Sequence, residues 1–246
     1  MAPFMSISGL GGANPSFAKG GVSYVTANLI LFLDAGDSSS YSGSGTDWND
    51  ISGQSNNATL VNGVGYSTDD GGSLTFDGSN DYVSETSALS DSFLQGDYSI
   101  SFWMKFDALN TGTSGSYDRI LIHHGSSSSN AGLHLVNRNT KFHFGLYGND
   151  LEGTSNLSTD TWYNVVFTLN NTSYDKQIYI NGSLDASHTG SGAYTGSGSN
   201  TRIAGPVLGF GYYLDGNISS VMAYSRVITS TEVTQNYDAF KSRFGY

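Results

Sequence analysis

Residues 98–106 read "YSISFWMKF", and their alternation sets Tyr98, Ile100, Phe102, Met104 and Phe106 on one side and Ser99, Ser101, Trp103 and Lys105 on the other. A period of two held over nine residues is a strand period, so the stretch predicts a central strand with one face in a core. Toward the N-terminus, "LTFDGSNDYVS" (74–84) alternates, breaks at Asp77-Gly78 and alternates again, as two short strands do at a tight polar corner. Further out lie "LILFLD" (29–34) and "ATLVNG" (58–63).

Toward the C-terminus, "RILIHH", "LHLVN" and "KFHFGLYG" within 119–148 read as a three-strand meander. "TWYNVVFTLN" (161–170) puts Tyr163, Val165, Phe167 and Leu169 on one face, and "KQIYINGSLD" (176–185) carries Asn181-Gly182, the signature of a type I′ hairpin. With "TRIAG" (201–205) and "GNISSVMAYSRV" (216–227) the chain holds about a dozen strands and no helix between them. That order excludes parallel βαβ construction and predicts an antiparallel sandwich. One helix is expected, at the end: Thr229-Ser230-Thr231-Glu232 fits a capping box, and Val233, Tyr237, Phe240 and Phe244 follow at helical spacing.

Composition agrees with an all-β reading. The 246 residues include 32 Gly, 16 Tyr and only 3 Pro, which suits many tight turns, and 37% hydrophobic content fills a core without staples. No cysteine is present, so disulfides, zinc-thiolate sites and thiol catalysis are excluded. The net charge of −11 opposes nucleic-acid binding, no apolar run reaches bilayer-spanning length, and no secretory signal is visible at the start. Residues 1–25 differ from the rest: Gly-rich, without alternation, yet dotted with Phe4, Met5, Ile7, Leu10 and Phe17. The expected division is an N-terminal arm over 1–25 and a sandwich over 26–246, with those five side chains docking on another chain.

The ordered set of "LILFLDAGDSSSY", "TDWNDISGQSNNATLVNG", "LTFDGSNDYV", "YSISFWMKF", "TWYNVVFTLN" with "IYINGSLD", and "YYLDGNISSVMAYSRVITSTEVTQNY" resembles the concanavalin A-like jelly-roll superfamily in its laminin-G-like or pentraxin-like branch. The resemblance implies an all-β, antiparallel jelly-roll sandwich. The stretch 33–63 also resembles domains in structural proteins of tailed phages, as head decorations, fibres or tail adhesins. It implies a non-enzymatic virion protein, assembled in the host cytoplasm and displayed on the particle, homo-oligomeric, held to other virion proteins by its arm and touching host-surface glycans. A free carbohydrate-binding lectin is the alternative, and a glycan hydrolase the third reading. The chain departs from the family where Ser219 and Ser220 follow Ile218, in place of the usual acid.

Retaining glycosidases need paired carboxyls. Of Glu85, Glu152 and Glu232, none is read as having a second carboxylate two or four residues away within a strand pattern, so no catalytic residue is assigned. His123, His134 and His143 are expected as cross-strand neighbours that hydrogen-bond locally. Asp34, Asp77, Asp81 and Asp215 lie at strand ends, where their oxygens suit either turns or a structural calcium. Tyr147, Asn149 and Asp150 in "FGLYGND", and Tyr212 and Tyr213 in "GFGYYLDGN", suit a glycan platform and a subunit interface alike.

Overall fold

The computed structural model describes residues 22–84, 87–114, 117–198, 201–207 and 212–246. Phe4, Met5, Ile7, Leu10 and Phe17 lie outside the described residues. The strands in chain order are β1 (Leu29–Asp34), β2 (Asp47–Trp48), β3 (Ala58–Val61), β4 (Gly65–Ser67), β5 (Ser73–Asp77), β6 (Tyr82–Ser84), β7 (Tyr98–Phe106) and β8 (Arg119–Gly125). There follow β9 (Gly132–Arg138), β10 (Lys141–Gly145), β11 (Leu151–Glu152), β12 (Trp162–Asn170), β13 (Asp175–Ile180), β14 (Ser183–Thr189), β15 (Arg202–Ile203) and β16 (Asp215–Tyr224). A single helical turn, α1 (Asp91–Leu94), precedes β7, and the helix α2 (Ser230–Phe240) follows β16.

Two eight-stranded sheets face each other. The first runs β14-β13-β12-β7-β16-β5-β4, with β1 beside the far half of β16; the second runs β11-β10-β9-β8-β15-β6-β3-β2. The expected meander is β8-β9-β10, and the expected hairpin joins β13 to β14 with Asn181 at φ 50° and Gly182 at φ 81°. Between the sheets the predicted apolar faces meet. Phe167 of β12 presents its ring edge-on to Phe142 and Phe144 of β10, with centroids 6.0 and 5.9 Å apart. Such edge-to-face contacts add roughly 0.5–1.5 kcal/mol each beyond the burial of area.

The Asp77-Gly78 corner does more than reverse the chain. β5 belongs to the first sheet and β6 to the second, so the corner carries the chain across the sandwich. Asp77 Oδ1 accepts from the Ser79 and Asn80 backbone N–H groups at 2.8 and 3.4 Å, and Gly78 takes φ 72°, which a side chain disfavours.

β7 departs from the expectation of one buried face: both of its faces are covered. The polar-looking side lies under the C-terminal segment, where Trp103 stacks on Phe244 (4.1 Å, 14°) and on Tyr237 (5.7 Å, 15°). Ser99 Oγ accepts from Ile228 N and donates to Arg226 O, which ties the helix approach to the strand. α2 starts in the predicted capping box: Thr229 Oγ1 accepts from Glu232 N, and Glu232 Oε2 accepts from Thr229 N. Its Val233 joins Phe32, Val166, Tyr179, Met222 and Tyr224 in a second apolar cluster. The outward side of β7 and β16 is therefore covered by the chain's own end.

Candidate functional site

The outward face of the second sheet is polar and aromatic. Leu60, Val83, Ile203, Ile122, Leu133, Leu135, Phe142 and Phe144 point into the core. Strand alternation then turns Tyr82 of β6, Arg202 of β15, His123 of β8, His134 of β9 and His143 of β10 outward. His123 pairs with Arg202 on one side and with His134 on the other. His143 sits one step further along β10, opposite Val136, and Gly145 pairs with His134. A Cβ on Gly145 would come within 1.9 Å of His134 Nε2, so glycine there lets the imidazole lie flat across β10.

Loops close over parts of this face. His123 Nδ1 accepts from Val207 N at 3.1 Å. Burial, helped by the neighbouring imidazoles of His134 and His124, holds His123 down to about 4, so it is neutral at physiological pH. Burial, with Arg138 nearby, lowers His143 as well. The acids of the face are already engaged. Asp118 forms a two-pronged pair with Arg138, and Glu152 bonds Lys141 and His143 at 2.8 and 3.1 Å. Asp150 accepts from Leu146 N and sits 3.8 Å from His134. Its carboxyl is held down to about 2, with those contacts outweighing its burial. Asp150 and Glu152 flank Leu151, two residues apart, with Asp150 in the loop just before β11. Glu152 is also lowered, chiefly by Lys141, so neither carboxyl is held protonated as a general acid requires.

At the end of the sandwich where β8 begins, near Asp215 of the first sheet, stands an exposed aromatic shelf. Tyr212 pairs with Arg119 in an isolated bridge, Tyr212 N donates to Asp118 O, and Ile120 N donates to Tyr212 O. This pinning sets the Tyr212 ring parallel to that of Tyr117, with centroids 5.5 Å apart at 12°. Both rings remain in water, Tyr117 at 55% and Tyr212 at 42% exposure. Arg119 supports the shelf, its guanidinium 5.5 Å from the Tyr212 ring centroid, and its Nη1 donates to Tyr213 O. Two exposed stacked tyrosines are not packing residues, and their faces fit the apolar face of a sugar ring.

The expected site residues thus divide. Tyr212 falls on the shelf, whereas Tyr213 gives only its carbonyl to Arg119 and turns its ring toward Gly205. Asn149 instead receives both hydrogen bonds recorded for the buried Lys176 ammonium, at its carbonyl and at Oδ1, and Asp150 is bound to its own loop and to His134. Tyr147 turns its ring edge to His134, 5.0 Å away. Of "FGLYGND", therefore, Asn149 and Asp150 are engaged in bonds within the fold. Tyr117 was missed by sequence reasoning; an aromatic inside the Gly/Ser-rich run 112–117 was its signal.

The four aspartates do not assemble into one calcium site. Asp77 pairs with Asp215 across the β5/β16 ladder, and Asp81 Oδ2 accepts from Asp77 N at 3.3 Å, so these three share a corner. Asp81 Oδ1 is buried there with no hydrogen-bond partner among the described residues, and its carboxyl is raised by burial and by Asp77. Asp34 stands opposite Ser220, five residues along β16, or about 17 Å away. It is paired instead with Arg243 at 2.7 Å. Among the described residues no three His, Asp or Glu side chains are grouped to hold a metal ion. Ser219, where the family usually has an acid, donates to Gly72 O and contacts the same Arg243.

A separate polar groove of about 530 Å³ lies beside Val227, lined by Thr168, Asn170, Gln177, Ser187 and Thr189, with no Phe, Tyr or Trp in its lining. It offers hydrogen bonds without a stacking surface.

Solved structures share this architecture. Domain 4 of a GH43 extracellular arabinanase from Geobacillus stearothermophilus, in complex with arabinotriose, superposes with a TM-score of 0.64 at 19% identity, over 86% of this chain and 98% of that one. Trypanosoma rangeli sialidase, in complex with a difluoro-nononic acid, gives a TM-score of 0.66 at 19% identity over 96% of this chain, which spans only 36% of the sialidase. The receptor-binding domain of botulinum neurotoxin type G gives 0.60 at 19% identity, over 86% of this chain and 51% of that one. At such identities the likeness is one of fold, and none of the three bears on the phage resemblance. No curated protein matches the sequence. The sequence itself matches the family described as the concanavalin A-like lectin/glucanases superfamily over residues 77–234, more than half of its length. With the fold and that match in agreement, the chain belongs to the concanavalin A-like lectin/glucanases superfamily.

Proposed function

We propose that this protein is a non-catalytic carbohydrate-binding sandwich that docks a glycan at the end of its second sheet where β8 begins. The observation that carries the reading is the exposed, parallel Tyr117–Tyr212 stack backed by Arg119. Rings of this kind stack on pyranose faces, while the neighbouring guanidinium and carbonyl groups set orientation. The lowered carboxyls of Asp150 and Glu152 favour binding over hydrolysis. The family match and the arabinotriose complex of the fold neighbour point the same way.

The test is retention on a glycan array. Tyr117→Ala and Tyr212→Ala should each weaken retention at least tenfold while leaving the melting temperature unchanged, because both side chains are solvent-exposed. Undiminished retention by the double variant would overturn the reading.

The setting we propose for this activity is a tailed-phage particle, with the domain as head decoration, fibre or tail adhesin. It rests on the sequence of 33–63 and on the apolar-dotted residues 4–17 as a dock for other virion proteins or for further copies of the chain. Mass spectrometry of purified particles tests it: the protein among virion components supports it, and glycan binding by protein found only free of particles favours a free lectin.

A further inference from the structure

We infer that the outward face of the second sheet carries a second, charge-selective subsite at Arg202, beside the tyrosine shelf at the sandwich end, and that the glycan it takes bears a carboxylate. The inference rests on the sugar-binding reading of the shelf and adds the class of ligand.

Acidic residues outnumber basic ones 21 to 10 in this chain, so an arginine has acids in plenty to pair with. Arg138, Lys141, Arg226, Lys241 and Arg243 each hold a carboxylate within hydrogen-bonding distance, and Arg119 lies 3.9 Å from Asp215. Among the described residues Arg202 has no carboxylate at ion-pair distance. It is half-buried, its guanidinium lies 4.2 Å from the centroid of the Tyr82 ring, and Nη1 donates to Pro206 O at 2.7 Å. Those contacts fix the plane of the guanidinium and occupy one end of it.

Among the described residues no acceptor meets the edge formed by Nε–H and Nη2–H. That edge is a planar two-donor fork, and its complement is a carboxylate accepting two parallel hydrogen bonds. The support beneath it is rigid. A Cβ on Gly205 would stand 2.9 Å from both Tyr82 Cβ and the Tyr213 ring, so the two tyrosines close on glycine from either side and hold the ring on which Arg202 stacks. The partner that β8 places opposite Arg202 is His123, neutral at physiological pH, which adds no competing charge.

The position of the fork sets the size of the ligand. Arg202 faces His123, whereas Arg119 under the tyrosine shelf pairs with Asn137, three steps along β9 from His134 because β8 bulges between Ile120 and Ile122, a separation of about 10 Å along the sheet. A monosaccharide on the shelf does not reach the guanidinium; an oligosaccharide with a uronic or sialic acid unit does.

The experiment uses the full chain on an array printed with uronate-containing, sialylated, sulfated and neutral oligosaccharides, with neutral partners of matched backbone. Retention of carboxylated glycans should exceed that of their neutral partners at least tenfold and fall in 0.5 M salt. Arg202→Gln should abolish the difference while leaving neutral retention unchanged, and Arg202→Lys, which keeps the charge and loses the fork, should restore little of it. Tyr117→Ala should weaken carboxylated and neutral glycans alike. An unchanged preference in Arg202→Gln, equal retention of both classes by the unaltered protein, or retention of sulfated glycans alone overturns the carboxylate subsite and leaves the tyrosine shelf standing. Retention of no glycan overturns the sugar-binding reading beneath it. Melting curves of both Arg202 variants, expected to match the parent, separate lost recognition from lost fold.

Discussion

Replacing His123 by glutamine should remove a defined part of the protein's sensitivity to acid. The imidazole is fully buried between His134 on β9 and Arg202 on β15, with His124 next in the chain, and its Nδ1 accepts a backbone N–H, a role a protonated nitrogen cannot fill. In the unfolded chain His123 takes a proton near pH 6.5, whereas in the fold it resists down to about 4. Between those values the unfolded state binds more protons than the native one, so stability falls as pH falls. The contribution is complete above pH 6.5 and exhausted below about 4. At 1.36 kcal/mol per unit the window is worth about 3 kcal/mol in all, of which about 2 to 3 is lost by pH 4.5. For a domain of this size that is a drop of roughly 5–10 °C in melting temperature. Urea unfolding at pH 7.0 and pH 4.5 measures it, with His123→Gln as comparison, a polar side chain of similar size that takes up no proton in this range. The variant should lose less stability on acidification by about that amount. Equal acid losses in the two proteins would refute the reasoning. The strongly lowered carboxyls of Asp150 and Glu232 act below about pH 4.5, outside this window.

Two other perturbations probe the packing and the acidic corner. Phe244→Ala removes the ring stacked on Trp103 and 4.8 Å from Trp162, and should cost about 3 kcal/mol, with a red shift of tryptophan emission as water reaches both indoles; a cost below about 1 kcal/mol would show that the C-terminal segment packs loosely. Asp81→Asn removes a buried charge crowded by Asp77 and should raise stability at pH 7 in chelator; a loss of stability instead, together with a calcium-dependent melting temperature that the substitution abolishes, would place a cation at that carboxylate.

The fold was legible because its signals are local. Period-two alternation in 98–106 and 162–169, the Asn-Gly turn at 181–182 and the capping box at 229–232 each depend on residues within one element, and each was found where expected. What escaped was long-range. Trp103 looked outward-facing because its cover, Phe244, is 141 positions away in the sequence. His124 bonds Tyr194 at 2.7 Å and Asp91 at 2.8 Å, partners 70 and 33 positions away that only the folded sandwich brings to it. Asn149 was read as a loop residue free to bind a sugar because nothing near it announces that Lys176 is buried against it. The site was half legible for the same reason: an aromatic such as Tyr212 is visible in sequence, whereas its pairing with Tyr117 depends on Arg119 drawing two distant loops together.

The place of β16 bears on how the chain reaches this state. The last strand in sequence lies in the middle of the first sheet, against β7 on one side and β5 and β1 on the other. β1, β5 and β7 are made early but have no common neighbour until residues 215–224 leave the ribosome. At about 5–20 residues per second, the hundred-odd residues between β7 and β16 take roughly 5–20 seconds to synthesise. Throughout that interval the sheet has an open slot with unpaired strand edges on both sides, and the apolar surface later covered by α2 is bare as well. Completion is late, non-local and slow in the manner of high-contact-order β proteins. A second copy's β16 fits the same slot, so dense expression favours strand exchange between nascent chains, and slower, cooler synthesis is the condition under which each chain closes its own sheet.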